Sequence, residues 1–309
     1  MTSKSDYWRQ YHDEATITRS DNLRTTHQLS STGVNIHIDM YEQPSLDAPV
    51  IIFNHGGGGY SRLFIPVALA MYDLGYTVLL PDQRGQGFSE GDRGDFTYSQ
   101  FIQNVVDVAN WARNRYSGKL FMGGGSVGGG ITYAAGVAGA PVDALVCHNL
   151  YSFGSVQDGM ALSRLASLTK IPFFSTISLW SIKLSASLMP RLKIPFMWLG
   201  KFEKMVDERA TGFFELWKAD PLPIKRVSLR YLHSSMTTPP LVPFEQNTLP
   251  ILVINQTRDR MVSPSVTRRN YDRLSGHKEY VEIDYGHWAM GETFVSEWSG
   301  IVHHFLSQF

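Results

Sequence analysis

Six short apolar runs, spaced by stretches of helical periodicity, constrain this chain more than any other feature of its sequence. They fall at residues 50–53, 77–80, 120–122, 144–147, 251–254 and 280–283. Strands without regular polar alternation are covered on both faces, as in a parallel sheet built from crossover units. Helical patterns at 61–74, 98–116, 127–138, 264–274 and 290–306 supply the crossovers. Ahead of them, residues 22–30 and 34–41 flank Ser31-Thr32-Gly33, and the second run alternates as Val34, Ile36, Ile38 and Met40. That pattern predicts an antiparallel hairpin at a sheet edge. The expected fold class is therefore α/β, a mostly parallel central sheet flanked by helices.

The alternation breaks over residues 154–247, which show helical patterning and several prolines but no convincing buried strand. This stretch reads as an inserted helical cap, leaving residues 1–153 and 248–309 as the core. Residues 168–202 are apolar and aromatic, carrying Phe173, Phe174, Trp180, Phe196 and Trp198 beside Lys170, Lys183, Arg191, Lys193 and Lys201. Lys183, Pro190, Arg191 and Pro195 leave no uninterrupted apolar stretch of about 18 residues, so a membrane span is not expected. A lid over an apolar pocket is. Contact with a membrane surface through Lys183, Arg191 and Lys193 beside Trp180 and Trp198 competes with simple solvation of those basic residues.

The balance of 28 basic and 28 acidic residues gives no electrostatic footprint for nucleic acid. A chain of 309 residues buries enough surface to fold without disulfides, and the single cysteine, Cys147, lies in an apolar run where an inert thiol is expected. The first ten residues contain no apolar signal region, which reads as a cytoplasmic protein. Neither H-E-x-x-H nor a cysteine-rich cluster occurs, so neither metal nor cofactor is expected.

The chemistry concentrates at Gly124-Gly125-Ser126-Val127-Gly128, where a strand passes through G-x-S-x-G into a helix. A serine on so sharp a turn sits in strained backbone, and a side chain at Gly124 or Gly128 would crowd it. The helix opening at Val127 directs backbone N–H groups toward developing negative charge. The same stretch also satisfies the dinucleotide fingerprint through Gly123, Gly125 and Gly128, with Asp143 about 20 residues on. That reading is poorer, because Asp143 precedes its strand and the motif arrives after two earlier strands rather than opening the first unit. His55-Gly56-Gly57-Gly58-Gly59 follows the strand at 50–53, and glycines there let a backbone N–H approach a substrate carbonyl.

At this point the chain resembles the α/β-hydrolase family, in the branch of monoglyceride lipases and serine aminopeptidase-like enzymes. His55 to Arg62 is similar to that branch's oxyanion loop, and Asp82-Gln-Arg84-Gly85-Gln-Gly87-Phe-Ser89 to its D-x-R-G-x-G-x-S segment. The resemblance spans the chain outside the cap. It implies Ser126 as nucleophile and the N–H groups of Gly57 and Val127 as oxyanion donors. One departure is the glycine before Ser126, where the family usually carries a bulkier residue.

Family order is nucleophile, acid, histidine. Asp259 closes the strand and turn at 251–259, and His287 follows the last strand in Asp284-Tyr-Gly-His287-Trp. Asp259 competes with Asp284 and Asp158 for the acid's role, and could instead pair with Arg258 or Arg260. Asp284 is too near His287 in sequence to reach round easily to its far ring nitrogen. Among the other histidines, His303 and His304 read as a helix surface pair, His148 ends a strand and His277 precedes one.

The expected activity is hydrolysis of a small-molecule carboxylic ester with an apolar acyl part, through an acyl-enzyme. An aminopeptidase would need carboxylates for the substrate's ammonium group, and the cap offers Asp207, Glu208, Glu215 and Asp220. Amide or lactone hydrolysis on the same residues, and a non-catalytic ligand receptor on the same fold, remain as alternatives.

Overall fold

The computed structural model describes residues 4–164, 166–205 and 212–309. Its strands are β1 (Arg24–Ser31), β2 (Val34–Tyr41), β3 (Val50–Asn54), β4 (Thr77–Pro81), β5 (Leu120–Gly125), β6 (Ala144–His148), β7 (Lys193–Pro195), β8 (Arg226–Ser228), β9 (Ile251–Gln256) and β10 (Lys278–Ile283). The helices are α1 (Glu14–Leu23), α2 (Ile65–Asp73), α3 (Tyr98–Arg115), α4 (Val127–Val137), α5 (Val156–Leu162), α6 (Phe174–Leu188), α7 (Phe213–Ala219), α8 (Leu229–Thr237), α9 (Pro264–Arg273) and α10 (Glu292–Leu306).

Eight strands form one sheet in the order β1-β2-β4-β3-β5-β6-β9-β10. β1 and β2 make the antiparallel edge, β2 pairs antiparallel with β4, and the pairings from β4 through β10 are parallel. This is the sheet the apolar runs predict. Every residue of β3, β4, β6 and β9 is buried, and the period-two alternation divides their side chains between two core layers. Val50, Ile52, Leu145 and Val253 meet Phe101 and Val108 of α3 and Ile131 and Ala135 of α4. Ile51, Phe53, Val146 and Leu252 meet Met71 of α2 and Trp298 and Phe305 of α10.

Two elements differ from the sequence expectation. Residues 22 and 23 end α1 rather than beginning β1. That helix buries only Ile17 and Ser20, which is too little apolar pattern to show in the sequence. The stretch between β6 and β9 carries α5 to α8, as its periodicity suggests, but also a two-stranded antiparallel sheet of β7 and β8. Three-residue strands, one ending on Pro195, are too short for alternation to register. No helix among the described residues is long and apolar enough to cross a membrane.

Candidate active site

Ser126 stands between β5 and α4 with φ 56° and ψ −122°, a strained conformation for a residue with a side chain. Its own N–H donates to the His148 carbonyl at the end of β6 (3.0 Å), and its carbonyl accepts from Gly129 and Gly130 in the first turn of α4. The turn is tight because α4 lies directly on the strand ends. A Cβ on Gly128 would stand 2.0 Å from the Asn54 carbonyl oxygen, and one on Gly124 2.6 Å from the Gly128 backbone. Helix stability gives way here to close approach, since each interior glycine costs a helix about 1 kcal/mol relative to alanine.

β3 ends beside this turn, and residues 56–59 pass close over it. A Cβ on Gly57 would meet the Val127 side chain at 2.9 Å and the Phe196 ring at 2.8 Å, so Gly57 and Val127 are neighbours. The loop is fastened from the neighbouring β4 end. Gln83 donates its N–H to His55 Nε2 (3.0 Å) and its side-chain amide to the His55 carbonyl (2.6 Å). His55 Nε2 is thus an acceptor and Nδ1–H donates to the Gly56 carbonyl (2.8 Å), a neutral ring whose pKa burial lowers to about 4. Asp82, in the same segment, accepts from the N–H groups of Ser61 and Phe88 and anchors the turn. From the other side, Trp217 Nε1 of α7 donates to the Gly58 carbonyl (2.7 Å).

Asp259 and His287 meet after β9 and β10. His287 Nδ1 lies 2.6 Å from Asp259 Oδ2, with both side chains buried. The carboxylate is held from three further directions, by the N–H groups of Met261 and Val262 on Oδ1 (2.8 Å each) and by Asn149 Nδ2 on Oδ2 (3.0 Å). With Nδ1 engaged, Nε2 is the ring nitrogen left for proton exchange. Ser126 and His287 line the same cavity, which also holds Gly57 and Val127.

The rival acids lie elsewhere. Asp284 is exposed and paired with Arg258. Asp158 is buried, but it grips Arg269 and Asn270 and accepts from the Ser152 N–H (2.7 Å). Its work is to hold the loop after β6. That loop carries two residues no motif announces. Asn149, at φ 56°, reaches Asp259, and Tyr151 lines the cavity with Ser126. Burial holds the Tyr151 phenol well above its ordinary pKa, so it stays protonated. Only the topology, which places β6 beside β5, brings them to the site. His148 lines the cavity with its pKa lowered to about 4, first by burial and then by the neighbouring His287. His303 reaches back to the Tyr76 hydroxyl (3.1 Å), while His304 is exposed.

The cavity has a volume of about 310 Å³ and is walled largely by apolar and aromatic side chains, including Phe64, Phe196, Phe202, Met205, Met236 and Trp288. Among the described residues its sole charged lining side chain, histidines aside, is Arg164, which pairs with Glu203. No described carboxylate lines it. Asp220 is buried under the hydroxyls of Tyr11 and Tyr60, and Glu215 is exposed beside Lys218. Asp207 and Glu208 lie outside the described residues. Among those residues no group of three or more His, Cys, Asp or Glu could hold a metal ion.

A family model described as serine aminopeptidase, S33 (Hydrolase_4) matches residues 47–292. Two Escherichia coli sequences, each called an uncharacterized 31.7 kDa protein in the traX-finO intergenic region, are 25% identical over 277 residues, covering 87% of this chain and 92% of theirs. In structure the chain is similar to DcsB in complex with its substrate analogue, with a TM-score of 0.70 at 18% identity over 92% of this chain and 99% of that one. It is similar also to the monoacylglycerol lipase of Paleococcus ferrophilus, with a TM-score of 0.65 at 17% identity over 88% and 98% of the two chains. A soluble variant of monoglyceride lipase from Saccharomyces cerevisiae gives 0.68 at 13% identity over 92% and 94%. At these identities the structural likeness is one of fold.

Proposed function

The chain belongs to the serine aminopeptidase S33 family of α/β-hydrolases, and from that premise we propose that it cleaves carboxylic esters with apolar acyl groups through Ser126, His287 and Asp259. In this reading the Ser126 hydroxyl attacks the ester carbonyl and passes its proton to His287 Nε2. Asp259 holds the imidazole in the required tautomer and stabilises it once charged. The N–H groups of Gly57 and Val127 receive the oxyanion. The protonated His287 then gives its proton to the departing alcohol, and water, activated by the same ring, releases the acid from Ser126. The stretch between β6 and β9, residues 154–247, serves as the cap over the acyl pocket.

The observation that carries the choice of ester over aminoacyl substrate is the lining of the cavity. An ammonium group needs a carboxylate partner once removed from water, and no described Asp or Glu faces this cavity. An acyl chain gains about 0.8 kcal/mol for each methylene buried against such walls. The monoacylglycerol and monoglyceride lipases among the structural neighbours agree with this reading in kind.

The test compares p-nitrophenyl esters from acetate to palmitate with aminoacyl p-nitroanilides, using the wild type and Ser126→Ala. Ester turnover should rise with acyl length to an optimum and fall by about a million-fold in the variant. Turnover restricted to the anilides would sink the ester assignment.

A further inference from the structure

Large hydrophobic side chains exposed to water are not spread evenly over this molecule. Among the described residues, all but Leu46, Leu74 and Leu241 lie between residues 168 and 198. Their centre is α6, which buries none of its residues. Phe173, Ile177, Trp180, Leu184 and Leu188 recur at steps of three and four and so form one face of the helix, with exposures from 44% to 79%. A helix whose apolar stripe faces outward rather than toward the core marks an interaction surface.

The opposite edge of the same helix has another duty. Ser178 and Ile182 line the cavity that contains Ser126, and so does Trp198, which is 70% exposed. The apolar patch therefore borders the cavity. Charge selects what would cover the patch. From Gly159 to Phe202 the sequence contains no acidic residue, but it holds Arg164, Lys170, Lys183, Arg191, Lys193 and Lys201, of which Arg164 pairs with Glu203, Lys193 with Asp92 and Arg191, at 3.9 Å, with Asp95. Lys183 and Arg191 are exposed on or beside the patch. A second copy docked through a two-fold axis would set this patch against itself and bring like charges together. An anionic lipid surface instead accepts the apolar face at its acyl boundary, the indole rings at headgroup level and the cations on its phosphates.

We propose that α6 and the Trp198 region form a lipid-docking face that seats the border of the cavity on an anionic bilayer. An amphiphilic substrate then passes from the lipid into the cavity without crossing water. Docking stands apart from the ester reading, because it needs the face and not the chemistry.

The experiment is vesicle flotation of the Ser126→Ala protein, which leaves any susceptible lipid intact. The vesicles are phosphatidylcholine alone, or phosphatidylcholine mixed with phosphatidylglycerol. The protein should float with the mixed vesicles and about fivefold more weakly, for each basic residue engaged, with phosphatidylcholine alone. Adding Ile177→Glu and Trp180→Glu, neither of which lines the cavity, should cut binding about tenfold or more. Thermal unfolding checks that this variant is folded, and Lys183→Gln gives a milder second reading. The proposal is overturned if the protein stays in the soluble fraction with both vesicle types, or if the charged variant floats as before. It is equally overturned if light scattering finds a dimer that the charged variant splits and no vesicle is bound. Loss of ester turnover in the wild type would bear on Ser126 and leave this result untouched.

Discussion

The loops after strands β3, β5, β6 and β9 and the helix α6 border one cavity, and they are built on opposite rules. At the strand ends the groups that position the loops and the acid around Ser126 are fastened more than once. His55 is tied to Gln83, Asp259 to four donors, and the loop with Tyr151 to Asp158. On α6 no residue is buried and the apolar face points outward. The contrast separates two tasks. A reacting group must be held to within a fraction of an ångström, whereas a surface that admits varied apolar matter gains from exposure.

Substitutions can break this contrast or sharpen it. The largest effect belongs to Asp259→Asn, which favours the wrong imidazole tautomer and should lower kcat about 10⁴-fold with the fold intact. A loss below tenfold would remove Asp259 from the account. Gly128→Ala should cost about 3 kcal/mol in urea unfolding, since its Cβ would meet the Asn54 carbonyl at 2.0 Å. Gly300→Ala, in α10 with open space around it, should instead raise stability by up to about 1 kcal/mol.

Acid should also act on the strand ends. His55 and His148 have folded-state pKa values of about 4 against the ordinary 6.5, so between these values the unfolded chain binds protons that the native state refuses. The stability they contribute is full above pH 6.5 and is lost as the pH falls toward 4. Asp82 runs the other way. Burial raises it from 3.8 to about 6, so its contribution is full below 3.8 and is lost as the pH rises through 6. Between pH 7 and 5 the histidines outweigh it, and the protein should lose about 2 kcal/mol. His148→Gln should shrink that difference, and equal stability at the two pH values would contradict the histidine contribution.

Tyr151→Phe should lower kcat about tenfold with KM little changed, and more for alkyl esters than for p-nitrophenyl esters. An equal loss for both leaving groups would indicate a packing role. The smallest effect is expected on α6, where Trp180→Ala should change stability by no more than about 0.5 kcal/mol.

What the sequence disclosed follows the same division. The strands were legible because both their faces are covered, which leaves runs such as Val50-Ile-Ile-Phe53 with no polar break. Ser126, Gly57 and Val127 stood out in the sequence as candidates because a tight turn demands glycine at fixed offsets around them. Asp259 and His287 stood out as candidates by order along the chain, and the structure brings their side chains together. Asn149 and Tyr151 did not stand out, since they come to Asp259 and to the cavity through the neighbourhood of β6 with β5 and β9, which no local pattern encodes. Asp158 looked like a possible acid for the same reason, as its partners Arg269 and Asn270 lie more than a hundred residues on. The outward face of α6 reads in sequence like any amphipathic helix, because periodicity marks a stripe but not which way it points.

The central claim is that Ser126 is an activated nucleophile. The direct measurement is reaction with a fluorophosphonate at neutral pH, followed by peptide mass mapping of the wild type and Asp259→Asn. The account predicts a single adduct, on Ser126, forming far more slowly in the variant. Folded wild-type protein that forms no adduct, or carries it on another residue, would contradict it.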